Sequence, residues 1–287
     1  MNIQPFINQI KKSFPNFKYT SAKILKSGFD HDVLLMDKKI IFRFPKSKEY
    51  QKLLAYEIPL LNYLSKKLSV EIPHYSYVAT DYHFAGYKIL PGKTLNNKLL
   101  KTLKKSEKTL LIKKLADFLS NLHQIPVKNF LKYDLKPEKP NIQQNQFFTA
   151  IKKQVFPRLK EKEQIMIENF ILEWKNQASA VKNTLTHNDL SGDNIFWDNK
   201  KLNLGIIDFS DRKITDPAHD FAPFFEFGED LVKSIYQKYQ GHKDAQFLQR
   251  AQRYYKKIAL DLLLLNSKKS AAEWLNAYKL FKKRFHR

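Results

Sequence analysis

Five strand-type segments fall within the first 90 residues of this 287-residue chain and helical spacing dominates beyond, and that segregation limits the possible folds more than any other feature. Residues 3–12 have the spacing of a short amphipathic helix that stops before Pro15. Lys23 to Lys26, Val33 to Met36 and Ile40 to Phe44 then read as a three-stranded meander, closed by Pro45. Residues 48–67 carry Leu53, Leu54, Ile58, Leu61 and Leu64 at helical spacing, with Pro59 inside as a kink or a break. Tyr75 to Ala79 and Phe84 to Leu90 supply two more strands before Pro91-Gly92. From Ser106 onward helical spacing dominates, predicting helices over about 106–123, 146–159, 161–181, 217–239, 243–266 and 270–285. One hairpin interrupts them near 195–207, where Ile195 and Trp197 alternate, then Leu202, Leu204 and Ile206, about a turn at Asn199-Lys200. The expectation is an α+β fold in two lobes. Residues 1–90 would form a five-stranded antiparallel sheet with one helix, and residues 91–287 a larger, mainly helical lobe.

Composition narrows the partners. Hydrophobic residues make up 43% of the chain, enough for a sizeable core. With no cysteine, neither a disulfide framework nor a thiolate metal site can form. The longest apolar runs, such as Leu262 to Leu265, are too short for a bilayer, and the start of the chain lacks the pattern of a secretory signal. A cytoplasmic monomer without a membrane partner is expected. The net charge of +23 comes mostly from scattered lysines, whereas surfaces that read nucleic acid also use arginine for its bidentate fork. Lysine-rich solvated faces, and no nucleic-acid partner, are therefore expected. The charge is also uneven: residues 187–230 hold ten Asp or Glu against four Lys or Arg, a local balance of −6. An acidic island in a basic chain suits a divalent ion, a cationic substrate, or both.

The island contains the chain's most specific pattern, His187-Asn188-Asp189-Leu190-Ser191-Gly192-Asp193-Asn194, followed after the hairpin by Ile206-Ile207-Asp208-Phe209. Phosphoryl transfer to an alcohol needs a carboxylate that orients the hydroxyl and accepts its proton, a role that Asp189 can fill. Asn194 and Asp208, at the two ends of one hairpin, offer the oxygen donors that magnesium prefers while phosphates and waters complete its shell. A lone loop Asp more often caps a turn, but the length of this composite pattern argues for function. His187 can be a general base, though in this kind of motif it reads as support for the loop. Asp193 is either a second ligand or a solvated loop carboxylate.

A loop at Ser27-Gly28, joining two strands, can let the backbone approach phosphate. Arg43, flanked by Phe42 and Phe44, faces the opposite side of its strand from both and can clamp nucleotide phosphates. Its expected helix partner is Glu57, with Glu49 as runner-up. An exposed strand arginine is the plain alternative. Asp216 fits an N-cap with Pro217 at the first helical position, a supporting role. Asp220 can bond the catalytic-loop backbone or meet a substrate. Glu226, Glu229 and Asp230 can face a cationic substrate or simply solvent.

Together these residues resemble the aminoglycoside phosphotransferase family, of protein-kinase-like fold. The resemblance rests on His-x-Asp-x-x-x-x-Asn, on Ile-Asp-Phe-Ser-Asp over residues 207–211 and on Asp-Pro-x-x-Asp-Phe at 216–221. Phe42-Arg43-Phe44-Pro45 and Lys88-Ile89-Leu90-Pro91-Gly92 look most like the 2''-aminoglycoside branch. The resemblance implies transfer of the γ-phosphate of ATP or GTP, with Asp189 as base and with Asn194 and Asp208 on Mg2+. It implies that Lys88, Ile89 and Leu90 line the purine and that an aminoglycoside is the lead acceptor. Choline, ethanolamine, macrolides, methylthioribose, homoserine and thiamine are acceptors of related enzymes, and a degenerate kinase-fold binding protein is the alternative class. Two departures matter: Arg43 stands where many relatives have Lys, and Ser210 where Gly often follows Asp-Phe.

Overall fold

The computed structural model describes residues 2–25, 30–137, 140–176 and 181–285. Helix α1 (Gln4–Ser13) precedes strands β1 (Ala22–Ile24), β2 (His31–Met36) and β3 (Ile40–Pro45). Helix α2 (Lys48–Leu64) follows, then β4 (Tyr75–Val78) and β5 (Ala85–Lys88). These strands form one antiparallel sheet in the order β1-β2-β3-β5-β4. The period-two alternation of β3 sends Phe42 and Phe44 to one face, where they pack with Leu34, Met36, Phe84 and with Ile7 and Ile10 of α1. Arg43 faces the other way, toward α2. That helix starts at Ser47, whose side chain caps the Tyr50 N–H, and it runs unbroken through Pro59.

Beyond the sheet come β6 (Lys93–Thr94), α3 (Asn97–Thr102), α4 (Lys105–Gln124), α5 (Pro140–Gln154) and α6 (Glu161–Asn176). Strands β7 (Thr184–Thr186), β8 (Ile195–Asp198), β9 (Asn203–Ile206) and β10 (Lys213–Thr215) follow, and α7 (Glu229–Lys238), α8 (Phe247–Leu265) and α9 (Ala271–Phe285) end the fold. The hairpin pairs Ile195 with Ile206 and Asp198 with Asn203, and β6 adds to its edge through Lys93 and Trp197. β7 and β10 also pair, setting Thr186 opposite Lys213. These short pairings were not predicted. The architecture is a mixed one, a five-stranded antiparallel sheet followed by a mainly helical remainder.

The predicted helix over 217–239 is corrected. Pro217–Phe227 is a 3-10 helix, and α7 begins only after Gly228. Pro223 lacks the N–H that an α-helix needs there, and Gly228 takes φ +105°, a value that suits glycine alone.

One large core joins α2, α4, the hairpin and the 217–227 segment through Leu54, Leu61, Leu115, Trp197, Phe209 and Phe221. A second, formed by α5, α6, α8 and α9, surrounds Ile151, Ile167, Leu260 and Phe281. Among the described residues no helix is long and apolar enough to cross a membrane.

Candidate active site

The acidic loop is built on β7. After Thr186 the chain turns sharply, and Asn188 takes a left-handed conformation at φ +67° that asparagine tolerates well. Three contacts hold the turn. The His187 ring is fully buried against Phe209, its Nε2 donates to the Ile207 carbonyl at 2.9 Å, and its Nδ1 accepts from the Asp189 N–H at 3.3 Å. Those directions require the Nε2–H tautomer, so His187 fixes the loop and has no nitrogen left to serve as a base. Below it, the Asp220 carboxylate accepts from the backbone N–H of His187 at 2.9 Å and of Asn188 at 2.7 Å.

Asp220 itself is fully buried, and His123 Nε2 on α4 donates to it at 3.0 Å while Tyr239 bonds His123 Nδ1 at 2.8 Å. Burial pushes the Asp220 carboxyl up, but the His123 bond and charge outweigh it and hold the group below its ordinary value. The placement of Asp220 among acceptor-binding residues is therefore corrected: both oxygens are engaged inside the protein, and a substrate cannot reach them. Asp216 likewise supports the fold. It caps the Ala218 N–H at 3.0 Å and pairs with Arg250 Nε at 2.7 Å.

Asn194 ends the 3-10 turn Gly192–Asn194 and is buried. Its Nδ2 donates to the Asp189 carbonyl at 2.9 Å and to Asp189 Oδ2 at 2.8 Å. The amide therefore orients the Asp189 carboxylate and leaves its own oxygen directed away from that contact. Gly192 lets this loop pack against the Leu95 backbone, since a Cβ there would lie 2.1 Å from the Leu95 carbonyl oxygen. Burial raises the Asp189 pKa, and the nearby Asp208 charge adds to that rise while His187 and the Asn194 bond oppose it.

Asp208 follows β9 at φ +64°, with its side chain 45% exposed. Its Oδ1 accepts from Ser210 Oγ at 2.8 Å and from Arg43 Nη2 at 3.4 Å. Burial pushes this carboxyl up, yet the Arg43 charge and the Ser210 bond overcome it, and the group lies below its ordinary value. Asp193 is exposed on the loop.

Arg43 is buried and gripped from every side. Nη1 donates to Glu57 Oε1 and to the Tyr75 hydroxyl, both at 2.8 Å, and Tyr75 donates to the same Glu57 oxygen at 2.9 Å. Nη2 donates to Ser210 Oγ at 2.7 Å and lies 3.3 Å from His31 Nδ1. The partner is thus Glu57, not Glu49. Arg212 stands 3.9 Å behind Glu57 as a second buried cation. Burial and the Arg43 charge push the His31 imidazole down to about 3, so its nitrogen can accept from the guanidinium.

Lys88 ends β5 exposed, Ile89 N–H donates to the Lys39 carbonyl at 2.8 Å, and Leu90 covers Gly205 of the hairpin. This connecting segment therefore runs from the sheet to the acidic loop's hairpin. Ser27 and Gly28 lie outside the described residues. Glu226 accepts from Tyr255 at 3.0 Å and pairs with Lys283 and Arg284, so its charge is already matched and it braces the 217–227 segment on α8 and α9. Glu229 and Asp230 are exposed in the first turn of α7, where the helix dipole favours carboxylates, and Glu229 also meets Lys233. Sequence reasoning missed Tyr75, His31 and His123, whose contacts bridge 32, 12 and 97 residues. Nothing local signals them.

Known proteins share this fold. A solved GDP and kanamycin complex of APH(2")-IIia is similar, with a TM-score of 0.90 at 24% identity over 99% of this chain and 98% of that one. A streptomycin-ATP-APH(2")-IIa ternary complex gives 0.76 at 21% identity, covering 99% and 97%. A macrolide 2'-phosphotransferase type I gives 0.73 at 16% identity, covering 98% of each chain. The sequence signature described as the phosphotransferase enzyme family matches residues 21–260. The chain belongs to that family.

Proposed function

We propose that this family member is a small-molecule kinase, moving the γ-phosphate of ATP or GTP to a hydroxyl of a cationic acceptor, with an aminoglycoside as the leading class. The observation that carries the reading is the Asp189 carboxylate, turned and held by Asn194 Nδ2 at 2.8 Å beside a second, half-exposed carboxylate at Asp208. Asp189 accepts the acceptor's proton as its oxygen bonds to the γ-phosphorus and the bond to the departing nucleoside diphosphate breaks. The donor set fits magnesium: the Asn194 amide oxygen and the Asp208 carboxylate are hard oxygen ligands on either end of one hairpin. When bound, the ion supplies charge neutralisation at the phosphates. Arg43, kept cationic by Glu57 although burial alone would work against that, faces the same place. We assign residues 1–90 to the nucleotide-binding lobe, with Lys88 to Leu90 along the purine, and residues 91–287 to catalysis and the acceptor.

The acceptor class rests on two supports. The acidic island carries −6 in a chain of +23, which favours a polycation. Similar structures hold kanamycin or streptomycin. A mass-shift screen of kanamycin, gentamicin, streptomycin, a macrolide and choline with Mg-ATP and Mg-GTP tests the reading. One added phosphoryl group on an aminoglycoside is expected. Phosphorylation of the macrolide or choline alone would replace the acceptor, and no product together with no nucleotide-induced thermal shift would refute the kinase.

A further inference from the structure

The Arg43 guanidinium is held by two hydroxyls, one on each arm, and only one of them belongs to its own sheet. Tyr75 of β4 holds Nη1 at 2.8 Å, alongside Glu57. Ser210 holds Nη2 at 2.7 Å from the far side of the site and simultaneously donates to Asp208 Oδ1 at 2.8 Å. The contacts of Nη2 with His31 and Asp208, at 3.3 and 3.4 Å, are beyond good hydrogen-bond length, so the Ser210 bond is the one that sets the plane of that arm. Arg43 and Ser210 stand 167 residues apart, and their bond ties the sheet to the Asp208 loop.

We propose that Ser210 is a positioning residue for phosphoryl transfer, and that Arg43 and Ser210 act as a matched pair. The hydroxyl relays between cation and carboxylate. It accepts from the guanidinium and donates to Asp208, so that one side chain sets the direction of both. A phosphate oxygen meets Arg43 by displacing the two long contacts, while the short one keeps the guanidinium facing the site. A lysine at position 43 cannot serve the same purpose. Its single ammonium has no second arm with which to satisfy Glu57 and Tyr75 on one side and Ser210 on the other. The pairing also accounts for both departures from the usual Lys and Gly at once: the longer, forked cation needs a hydroxyl on the Asp208 loop to fix its outer arm.

This inference rests on the kinase reading, and the experiment separates the two. Calorimetric titration of Mg-ATP and Mg-GTP is made into the wild type, Ser210→Ala, Ser210→Thr, Arg43→Lys and the Ser210→Ala/Arg43→Lys double variant, with a melting curve for each. A charge-assisted hydrogen bond supports a loss of about tenfold in nucleotide affinity for Ser210→Ala. Ser210→Thr, which keeps the hydroxyl, is expected within about twofold of wild type. The double variant is expected to bind no worse than Arg43→Lys alone, because lysine makes no use of the hydroxyl. In turnover assays Ser210→Ala should raise the nucleotide KM more than it lowers kcat. Wild-type affinity in Ser210→Ala, or losses that multiply in the double variant, would overturn the pairing. An affinity loss in Ser210→Thr equal to that in Ser210→Ala, or one matched by a large fall in Tm, would show a packing role and overturn it too. A wild type that binds neither nucleotide would refute the kinase reading and the pairing with it.

Discussion

Replacing Asp220 with Asn distinguishes a buried loop anchor from a substrate contact. The carboxylate accepts three hydrogen bonds: from Asn188 N–H on Oδ1, and from His187 N–H and His123 Nε2 on Oδ2. Asparagine keeps one accepting oxygen and must point an NH2 at whichever donor faces the other position. In its better orientation the amide oxygen takes the two Oδ2 donors, and the Asn188 N–H is left facing another donor. One buried donor is lost and two charge-assisted bonds become ordinary ones, a cost of about 2–4 kcal/mol. For a chain of this size each kcal/mol lowers Tm by roughly 2–4 °C, so a fall of about 5–15 °C is expected by calorimetry. Because the Asn188 N–H belongs to the loop that carries Asp189, kcat should fall by about tenfold or more while nucleotide affinity holds. The pH dependence follows from the depressed carboxyl. Its stabilising contribution is fully present above the ordinary value of 3.8 and is lost as pH falls through the still lower native value, so acid unfolding of Asp220→Asn should show less of that loss. An unchanged Tm, together with a raised acceptor KM, would refute the anchor and restore Asp220 to the substrate.

Three further outcomes are expected. Asp189→Asn should abolish phosphate transfer yet keep the Mg-nucleotide thermal shift, and unchanged turnover would remove Asp189 from the chemistry. Glu57→Ala removes the nearest carboxylate from two buried cations, leaving Arg43 only the longer carboxylate contact, to Asp208 at 3.4 Å, which costs about 3–5 kcal/mol and should lower Tm by around 10 °C; a stable variant would show that the remaining groups neutralise them. Burial and the Asp208 charge raise the Asp189 pKa, so the acidic limb of the kcat profile should lie above 3.8, with activity lost as pH falls through it. A limb at or below that value would contradict the assignment.

The readable parts of this chain were those with local periodicity. Phe42-Arg43-Phe44 alternates with a period of two, which alone puts the cation on the face opposite both rings, toward α2 and Glu57. The hairpin was readable for the same reason, but its turn takes four residues, 199–202, and Leu202, expected in the strand, lies in it at φ +49°. β7 and β10 have three residues each, too few to display alternation, so their pairing was invisible. The 217–239 region was misread because Phe221, Ala222, Phe224 and Phe225 mimic helical spacing, while Pro223 and Gly228 held the correcting signal. Asp220 was ambiguous because a carboxylate looks alike in sequence whether it meets solvent or a backbone amide. Its neighbours Phe221 and Ala222, both fully buried, were the only clue. Tyr75 and His123 were illegible in principle, since their partners are set by the tertiary fold.

The carboxylates at the proposed catalytic centre do not share one environment, and that difference gives them different tasks. Asp30, Asp189 and Asp211 are all raised, first by burial and then by the charge of Asp208 among other neighbours. Asp208 alone of the four is held low, because Arg43 and Ser210 stabilise its anion. A group kept anionic suits a metal, whereas one whose affinity for a proton is raised suits a base that must accept one. Arg43 supplies only one positive charge among these four carboxylates, and Glu57 already shares it. Lys46 and Lys213 offset part of the repulsion at Asp30 and Asp211, and a divalent ion at Asn194 and Asp208 or the ammonium groups of an acceptor would relieve more of it. An acidic centre of this kind therefore favours its cationic reactants through the same repulsion that raises the base.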